Sequence, residues 1–222
     1  MVVAVVVLAL AGYFVFRGGD KTETPAPVVE SVATVNGVAI PKATYETQLA
    51  TSIATFKTQG VDVENAESLA QIKTQVLDDM INNELVSQGI TVAGITASIE
   101  EVDKQLKAIT EQAGGQEKLL GELAKANLTE AQLRENVTRQ VAIQAYLAAN
   151  VNIAGVTVTD AEVAEFYTEY AKSQKAAGVK TVPTQKELTD QIKQQITLNK
   201  QQTLVNEFIA SLRAKAQIVK SI

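Results

Sequence analysis

Histidine, cysteine and tryptophan are absent from this chain of 222 residues, and aromatic residues make up only 5% of it. Without imidazole or thiolate, the chain has no Cys or His nucleophile, no Ser-His pair, no zinc site built from those ligands and no disulfide. Carboxylates, or Lys, Ser, Thr and Tyr acting without imidazole, are the catalytic groups that remain. Most enzyme classes are therefore excluded.

The charge balance is acidic, with 20 Lys and Arg against 25 Asp and Glu and a net charge of −5. A chain of this charge, with a pI near 5.0, would repel a phosphate backbone, so we expect no nucleic-acid partner. Hydrophobic residues make up 46% of the chain, which is enough for a folded core.

An uncharged apolar run, VVAVVVLALAGYFVF, occupies residues 2–16, and Arg17 follows it. The run is short against the roughly 20 residues of a membrane-spanning helix. A stretch rich in Gly, Pro and charge, GGDKTETPAPVVES, comes next. The pattern predicts a membrane anchor or signal segment over residues 1–17 and a flexible linker over 18–30. We expect a single-pass cell-membrane protein whose body, residues 31–222, lies outside the cytoplasm of a bacterium.

The sequence leaves open whether the apolar segment is cleaved and on which side of the membrane the body lies. Ala9-Leu10-Ala11 has the small-x-small form of a signal-peptidase site. Cleavage there would leave aromatic residues near the new N-terminus, which favours an uncleaved anchor. The nearest cations follow the run, and the positive-inside rule, taken literally, would keep the body in the cytoplasm. A start codon placed too late in the gene would explain both the short run and the missing N-terminal charges.

The body is predicted to be mostly helical. No proline occurs between Pro41 and Pro183, and the glycines fall at intervals that suit helix ends. Apolar spacing predicts seven helices, over about residues 41–59, 66–88, 98–113, 116–126, 129–149, 159–175 and 184–214. Four of them begin with a capping-box pattern: Ser98 with Glu101, Thr129 with Gln132, Thr159 with Glu162, and Thr184 with Glu187.

Strand signals are confined to the two ends of the body. Asn36-Gly37 is a strong two-residue hairpin turn, and it predicts strands over residues 31–35 and 38–40. A hairpin alone is marginal in water, so we expect residues 216–221 to pair with the first strand as a third. The predicted fold is mainly α, with a small antiparallel sheet that joins the N- and C-terminal ends of the body.

Several segments, in this order, resemble a known family. They are VATVNGVAIPKATYETQL, LDDMINNELVSQGITV, ITASIEEVDKQLK, GGQEKLLGELAKANLTEAQLRENVTRQVAIQAYL and VTVTDAEVAEFYTEY. Over about residues 31–170 they resemble the N-terminal chaperone domain of SurA and PrsA-like exported folding factors. Residues 183–222 resemble that family's returning C-terminal helix and strand. The resemblance implies a helical chaperone domain, made of residues 31–175 and 183–222, that holds unfolded exported polypeptides without ATP.

Many members of this family insert a parvulin prolyl-isomerase domain before the final helix. The corresponding interval here is residues 171–182, whereas a parvulin domain needs on the order of 90 residues. The polar residues of a parvulin site usually include His, which this chain lacks. We therefore expect a protein that is not an enzyme and that uses no metal or cofactor.

Phe166, Tyr167 and Tyr170 form a close aromatic group on the predicted sixth helix. Aromatic side chains on an accessible apolar surface are what a binder of unfolded chains would use. Core packing is the alternative, above all for Phe166, because Val163 lies one turn earlier. The group is a candidate polypeptide-binding surface.

The paired carboxylates are the other candidates for chemistry: Asp78 with Asp79, Glu100 with Glu101, and Asp160 with Glu162. Acidic residues near a helix N-terminus are favoured by the helix dipole, and paired acids are a weak catalytic signal. We interpret all three pairs as solvated helix faces or caps.

The function expected from these features is a membrane-tethered, ATP-independent holdase that binds unfolded or exported polypeptides and has no isomerase activity. The alternative is a structural or adaptor protein that holds one specific folded partner at the cell envelope. The sequence carries no signal for an oligomeric state.

Overall fold

The computed structural model describes residues 30–221, which form a three-stranded sheet and seven helices. The strands are β1 (Ser31–Val35), β2 (Val38–Pro41) and β3 (Ile218–Lys220). The helices are α1 (Lys42–Thr58), α2 (Ala66–Ala93), α3 (Ile99–Ala113), α4 (Gln116–Lys125), α5 (Glu130–Asn150), α6 (Asp160–Ala176) and α7 (Gln185–Lys215). The predicted fold, mainly α with a small antiparallel sheet that joins the two ends of the body, is confirmed.

The sheet has the strand order β2-β1-β3, and both pairings are antiparallel. Asn36 and Gly37, which connect β1 to β2, have φ values of 51° and 83°, as a two-residue hairpin turn requires. In the β1–β3 pairing, Val35 lies opposite Ile218. The backbone N–H of Asn36 also donates to the carbonyl of Gln217, at 2.8 Å. The last strand therefore closes the fold on the first.

The largest apolar core lies between the sheet and α2. Val32, Val35 and Ile81 are among its most buried side chains, each 1% exposed or less. Tyr45 of α1, Leu212 of α7 and Ile218 of β3 pack against the same core. Since these residues come from both ends of the body, the hydrophobic effect favours joining those ends.

An ionic cluster at the edge of this core connects α2, α7 and β3. Asp78 accepts hydrogen bonds from the guanidinium of Arg213 and the ammonium of Lys220, both at 2.9 Å. Arg213 also donates to the amide oxygen of Asn82, at 2.9 Å. Partial burial raises the pKa of Asp78, but the hydrogen bonds from Lys220 and Arg213 outweigh that effect and hold the pKa below its usual value.

Three of the four predicted capping boxes are complete, those of Thr129, Thr159 and Thr184 at the starts of α5, α6 and α7. At the start of α3, Ser98 accepts a hydrogen bond from the backbone N–H of Glu101. The carboxylate of Glu101 pairs with Lys104 instead of turning back to the cap. The sequence pattern therefore located all four helix starts.

Helix α2 extends beyond its predicted end near Gln88 and continues to Ala93. Gly94, with a φ of 63°, provides the left-handed C-cap of this helix. Gly89 lies inside the helix, where the ring of Tyr146 from α5 packs directly against its backbone. Tyr146 is buried, and its ring also contacts that of Phe208 in α7, with centroids 5.6 Å apart. This glycine thus allows close packing between helices.

The predicted single-pass membrane location is wrong. Among residues 30–221, no helix combines the length and the apolar character needed to cross a bilayer. Helices α2 and α7, with 28 and 31 residues, are long enough, but both carry charged side chains along their lengths. The apolar run over residues 2–16 and the linker over 18–29 lie outside the described residues.

We expect Gly89→Ala to destabilise the protein, because the added methyl group would overlap the buried ring and hydroxyl of Tyr146. Overpacking of this kind costs about 1–3 kcal/mol. Gly121→Ala in α4 is the matched control, since nothing lies within 4 Å of the added methyl group there. The control should gain up to about 1 kcal/mol from helix propensity. Urea unfolding measures both changes, and equal effects of the two substitutions would contradict this account of Gly89.

Candidate functional site

The candidate site lies where α6 packs against the first half of α7. These two helices share a small apolar cluster of their own, with Val163, Ile192 and Ile196 buried at its centre. Four partly buried side chains pack around that centre: Val158, Phe166, Tyr167 and Leu188. The cluster is separate from the core beneath the sheet, so this helix pair has its own packing.

Polar contacts at the N-terminus of α6 fix the pair in register. Glu162 completes the capping box of Thr159, and its carboxylate also pairs with the ammonium of Lys200 from α7. Lys200 donates a second hydrogen bond to the carbonyl of Thr157, at 2.8 Å. A further ion pair joins Lys193 and Asp160 across the two helices, at 3.4 Å.

The pKa of Glu162 is lowered to about 2. The largest cause is the hydrogen bond from Lys200, followed by those from the backbone and side chain of Thr159. Each of these donors favours the ionised carboxylate over the neutral acid. Glu162 is therefore a charged structural residue at neutral pH, and it is not poised to exchange a proton there.

Phe166 and Tyr170 line an open depression on the surface of the helix pair. They lie one turn apart on α6 and are both half-buried. One cavity beside them, of about 530 Å³, is walled by Ile196 and by glutamates of α6. A second cavity, of about 290 Å³, lies between the same two aromatic residues and Leu188 and Ile192 of α7. We call this continuous surface around Phe166 and Tyr170 the aromatic groove.

Tyr167, the third member of the predicted group, has a different position. It packs on the apolar cluster, and its hydroxyl donates to the carbonyl of Pro183, at 3.0 Å. This hydrogen bond fastens α6 to the segment that leads into α7. Phe166 also packs on the cluster, as the core interpretation expected, but it borders the groove as well.

The α7 wall of the groove was not among the predicted site residues. Leu188, Ile192 and Ile196 recur every four residues, which marks one face of a helix. That spacing shows that the face is apolar, but it does not show that α6 covers only part of it. The glutamates beside Phe166 were likewise visible in the sequence without any sign that they border a groove.

The predicted acidic pairs are placed on helix surfaces. Asp78 pairs with Arg213 and Lys220, Glu101 with Lys104, and Asp160 with Lys193. Within the described part of the chain, no group of three or more His, Cys, Asp and Glu side chains is arranged to hold a metal ion.

Comparison with protein-family models shows which family the chain belongs to. The model of the SurA-like N-terminal domain matches residues 1–147, more than half of the chain. The protein therefore belongs to the SurA-like N-terminal domain family, and the resemblance noted in the sequence is confirmed. No curated protein is matched by the chain at a significant level.

The fold is also that of a solved chain from work on PEB4 and the periplasmic protein Cj1289 of Campylobacter jejuni, described as two structurally related SurA-like chaperones. The TM-score is 0.55 and the sequence identity is 11%. The match covers 86% of this chain and 99% of the other. At this identity the likeness shows a common fold.

We expect the carboxyl group of Glu162 to titrate near pH 2 in the folded protein, and Lys200→Met to raise that midpoint, because the substitution removes the main donor. Since the folded pKa is lowered, ionised Glu162 stabilises the fold fully above its unfolded pKa of about 4.3. That contribution is lost as the pH falls from about 4 towards 2. An NMR titration of the side-chain carboxyl groups measures the midpoints.

Glu187 is the internal control for this titration. Its pKa is also lowered, by hydrogen bonds from the backbone and side chain of Thr184. No lysine contributes to that shift. Lys200→Met should therefore leave the midpoint of Glu187 unchanged. An unchanged Glu162 midpoint in the same variant would contradict the ion pair with Lys200.

Proposed function

We propose that this protein is an ATP-independent holdase, which binds unfolded polypeptides and keeps them from aggregating. The observation that carries the proposal is the aromatic groove, an open apolar surface on a chain that belongs to a chaperone-domain family. The solved chain with the same fold comes from proteins described as SurA-like chaperones, which supports the same role.

Phe166 and Tyr170 are the proposed contacts for the polypeptide. Their rings are half-buried, so each is held in place by the helix pair and still presents apolar surface. Aromatic rings contribute large contact areas with few rotatable bonds. They can also accept many different apolar side chains, because the hydrophobic effect is non-directional. A surface of this kind suits clients that share no sequence.

The proposed activity is binding without catalysis. Helices α6 and α7 are connected by residues 177–184. The family resemblance would place a parvulin domain, where a member has one, in this interval. A loop of this length cannot hold a domain of about 90 residues. The titratable side chains around the groove are glutamates and a tyrosine, and Glu162 is held in its ionised form.

Aggregation of a chemically denatured client, followed by light scattering, tests the proposed binding. Residues 30–222 should suppress scattering in proportion to their molar ratio to the client, with or without ATP. The double variant Phe166→Ser with Tyr170→Ser should need roughly ten- to a hundredfold more protein for half-suppression. Full burial of an apolar side chain contributes about 1.5–3 kcal/mol of free energy. The estimate assumes that each ring gains about half of that when a client covers it.

The matched control is Val92→Ser with Leu198→Ser, which removes two apolar side chains that are 88% and 52% exposed away from the groove. Tyr170→Ser alone guards against loss of folding, because Tyr170 lies outside the buried cluster. Circular dichroism should show native helix content in all variants. If wild-type protein at several-fold excess fails to suppress scattering, an adaptor that holds one folded partner becomes the better account.

Isomerase activity should be absent from the same preparation. Uncatalysed prolyl isomerisation takes tens to hundreds of seconds, so a proline-limited refolding reaction detects a catalyst readily. We expect its rate to be unchanged by this protein at any ratio to the substrate. Acceleration that scales with protein concentration and survives removal of contaminating host isomerases would overturn the non-catalytic proposal.

A further inference from the structure

The aromatic groove has an acidic border. Glu162, Glu165 and Glu169 all line the larger cavity, beside Phe166 and Tyr170. The other lining side chains are the neutral Ser173 and Ile196, and those of the smaller cavity are apolar residues and two glutamines. Among residues 30–221, no lysine or arginine lines either cavity.

Two of the three glutamates have charge left for a ligand. Lys200 neutralises Glu162. Glu169 has only a marginal ion pair with Lys172, at 3.9 Å, and both side chains are at least 70% exposed. Glu165 is exposed and has no hydrogen-bonding or ionic partner within residues 30–221. The groove therefore combines an apolar surface with one unpaired carboxylate and one that is only weakly paired.

The spacing of these side chains suits an extended chain. Glu165 and Glu169 are four residues apart on α6, as are Phe166 and Tyr170, which gives about 6 Å along the helix axis at 1.5 Å per residue. Alternate side chains of an extended polypeptide are about 6.6 Å apart. A segment that lies along α6 can therefore place successive side chains of one face on the two rings and reach the two glutamates from the same stretch.

We propose that the groove selects unfolded segments in which apolar side chains are flanked by lysine or arginine. Long basic side chains can pack their methylene groups on the rings while their charged ends reach the carboxylates. A cation over the face of Phe166 or Tyr170 gains a further attraction from the aromatic ring. Acidic segments of equal hydrophobicity are repelled. This inference rests on the proposed function and specifies the clients that the groove prefers.

The test uses the full-length protein and short labelled peptides that share one apolar core, flanked by lysines, serines or glutamates. Fluorescence anisotropy measures their Kd at low salt. The lysine-flanked peptide should bind about tenfold tighter than the glutamate-flanked peptide. The first makes two exposed ion pairs with the groove glutamates, whereas the second is repelled by both of them. The difference should shrink to less than about twofold in 1 M salt, where the Debye length is about 3 Å.

The double variant Glu165→Gln with Glu169→Gln should abolish the preference while the serine-flanked peptide binds as before. Glu64→Gln with Glu207→Gln changes the net charge equally, at exposed positions outside the groove, and should retain the preference. Equal affinities of all peptides for the wild type, or a preference that persists in the groove variant, would overturn the inference.

Client aggregation measured in parallel separates the two proposals. If the wild type suppresses aggregation but shows no charge preference, the selectivity is wrong and the holdase proposal stands. If it neither suppresses aggregation nor binds any peptide, both are wrong.

Discussion

The antiparallel pairing of β1 with β3 is the contact on which the rest of the structure depends. It brings together the first and last elements of a body of about 190 residues and lays both on α2. The chain entropy lost in closing such a long loop grows only slowly with its length, and it is offset by the apolar residues buried between the sheet and α2. The ionic cluster around Asp78 then ties α7 and β3 to α2 at the same place.

Because this closure holds the two ends, the outer helices can pack in small groups of their own. Helices α3 and α5 share a cluster around Val102, Val137 and Val141, and α6 shares another with the first half of α7. Each cluster has only three buried side chains at its centre. Regions with few buried contacts open more easily than the main core. We therefore expect the helix pair that carries the aromatic groove to open more easily than the main core.

The helix pair that carries the groove compensates for its small apolar cluster with polar contacts. Two capping boxes start its helices, and Lys193 and Lys200 connect α7 back to the start of α6. The Thr159 capping box and the two lysine contacts lie at the N-terminal end of α6, whereas Phe166 and Tyr170 lie further along the helix. The aromatic rings can therefore remain available without loss of the register between the two helices.

The sequence by itself determined the helices and their starts, since these depend on local signals, namely apolar period and capping residues. The Asn36-Gly37 turn likewise predicted the hairpin, and the third strand was predicted because a hairpin alone is marginal in water. It also singled out Phe166 and Tyr170. Only the tertiary structure showed that Gly89 lies inside α2 and why a glycine is needed there. The ring of Tyr146, from a helix more than 50 residues later, occupies the space that a side chain at position 89 would fill. In the same way, the apolar face of α7 and the glutamates of α6 became walls of one groove only when the two helices packed. Which part of an amphipathic face is covered depends on its neighbour, and a neighbour distant in sequence leaves no mark on local spacing.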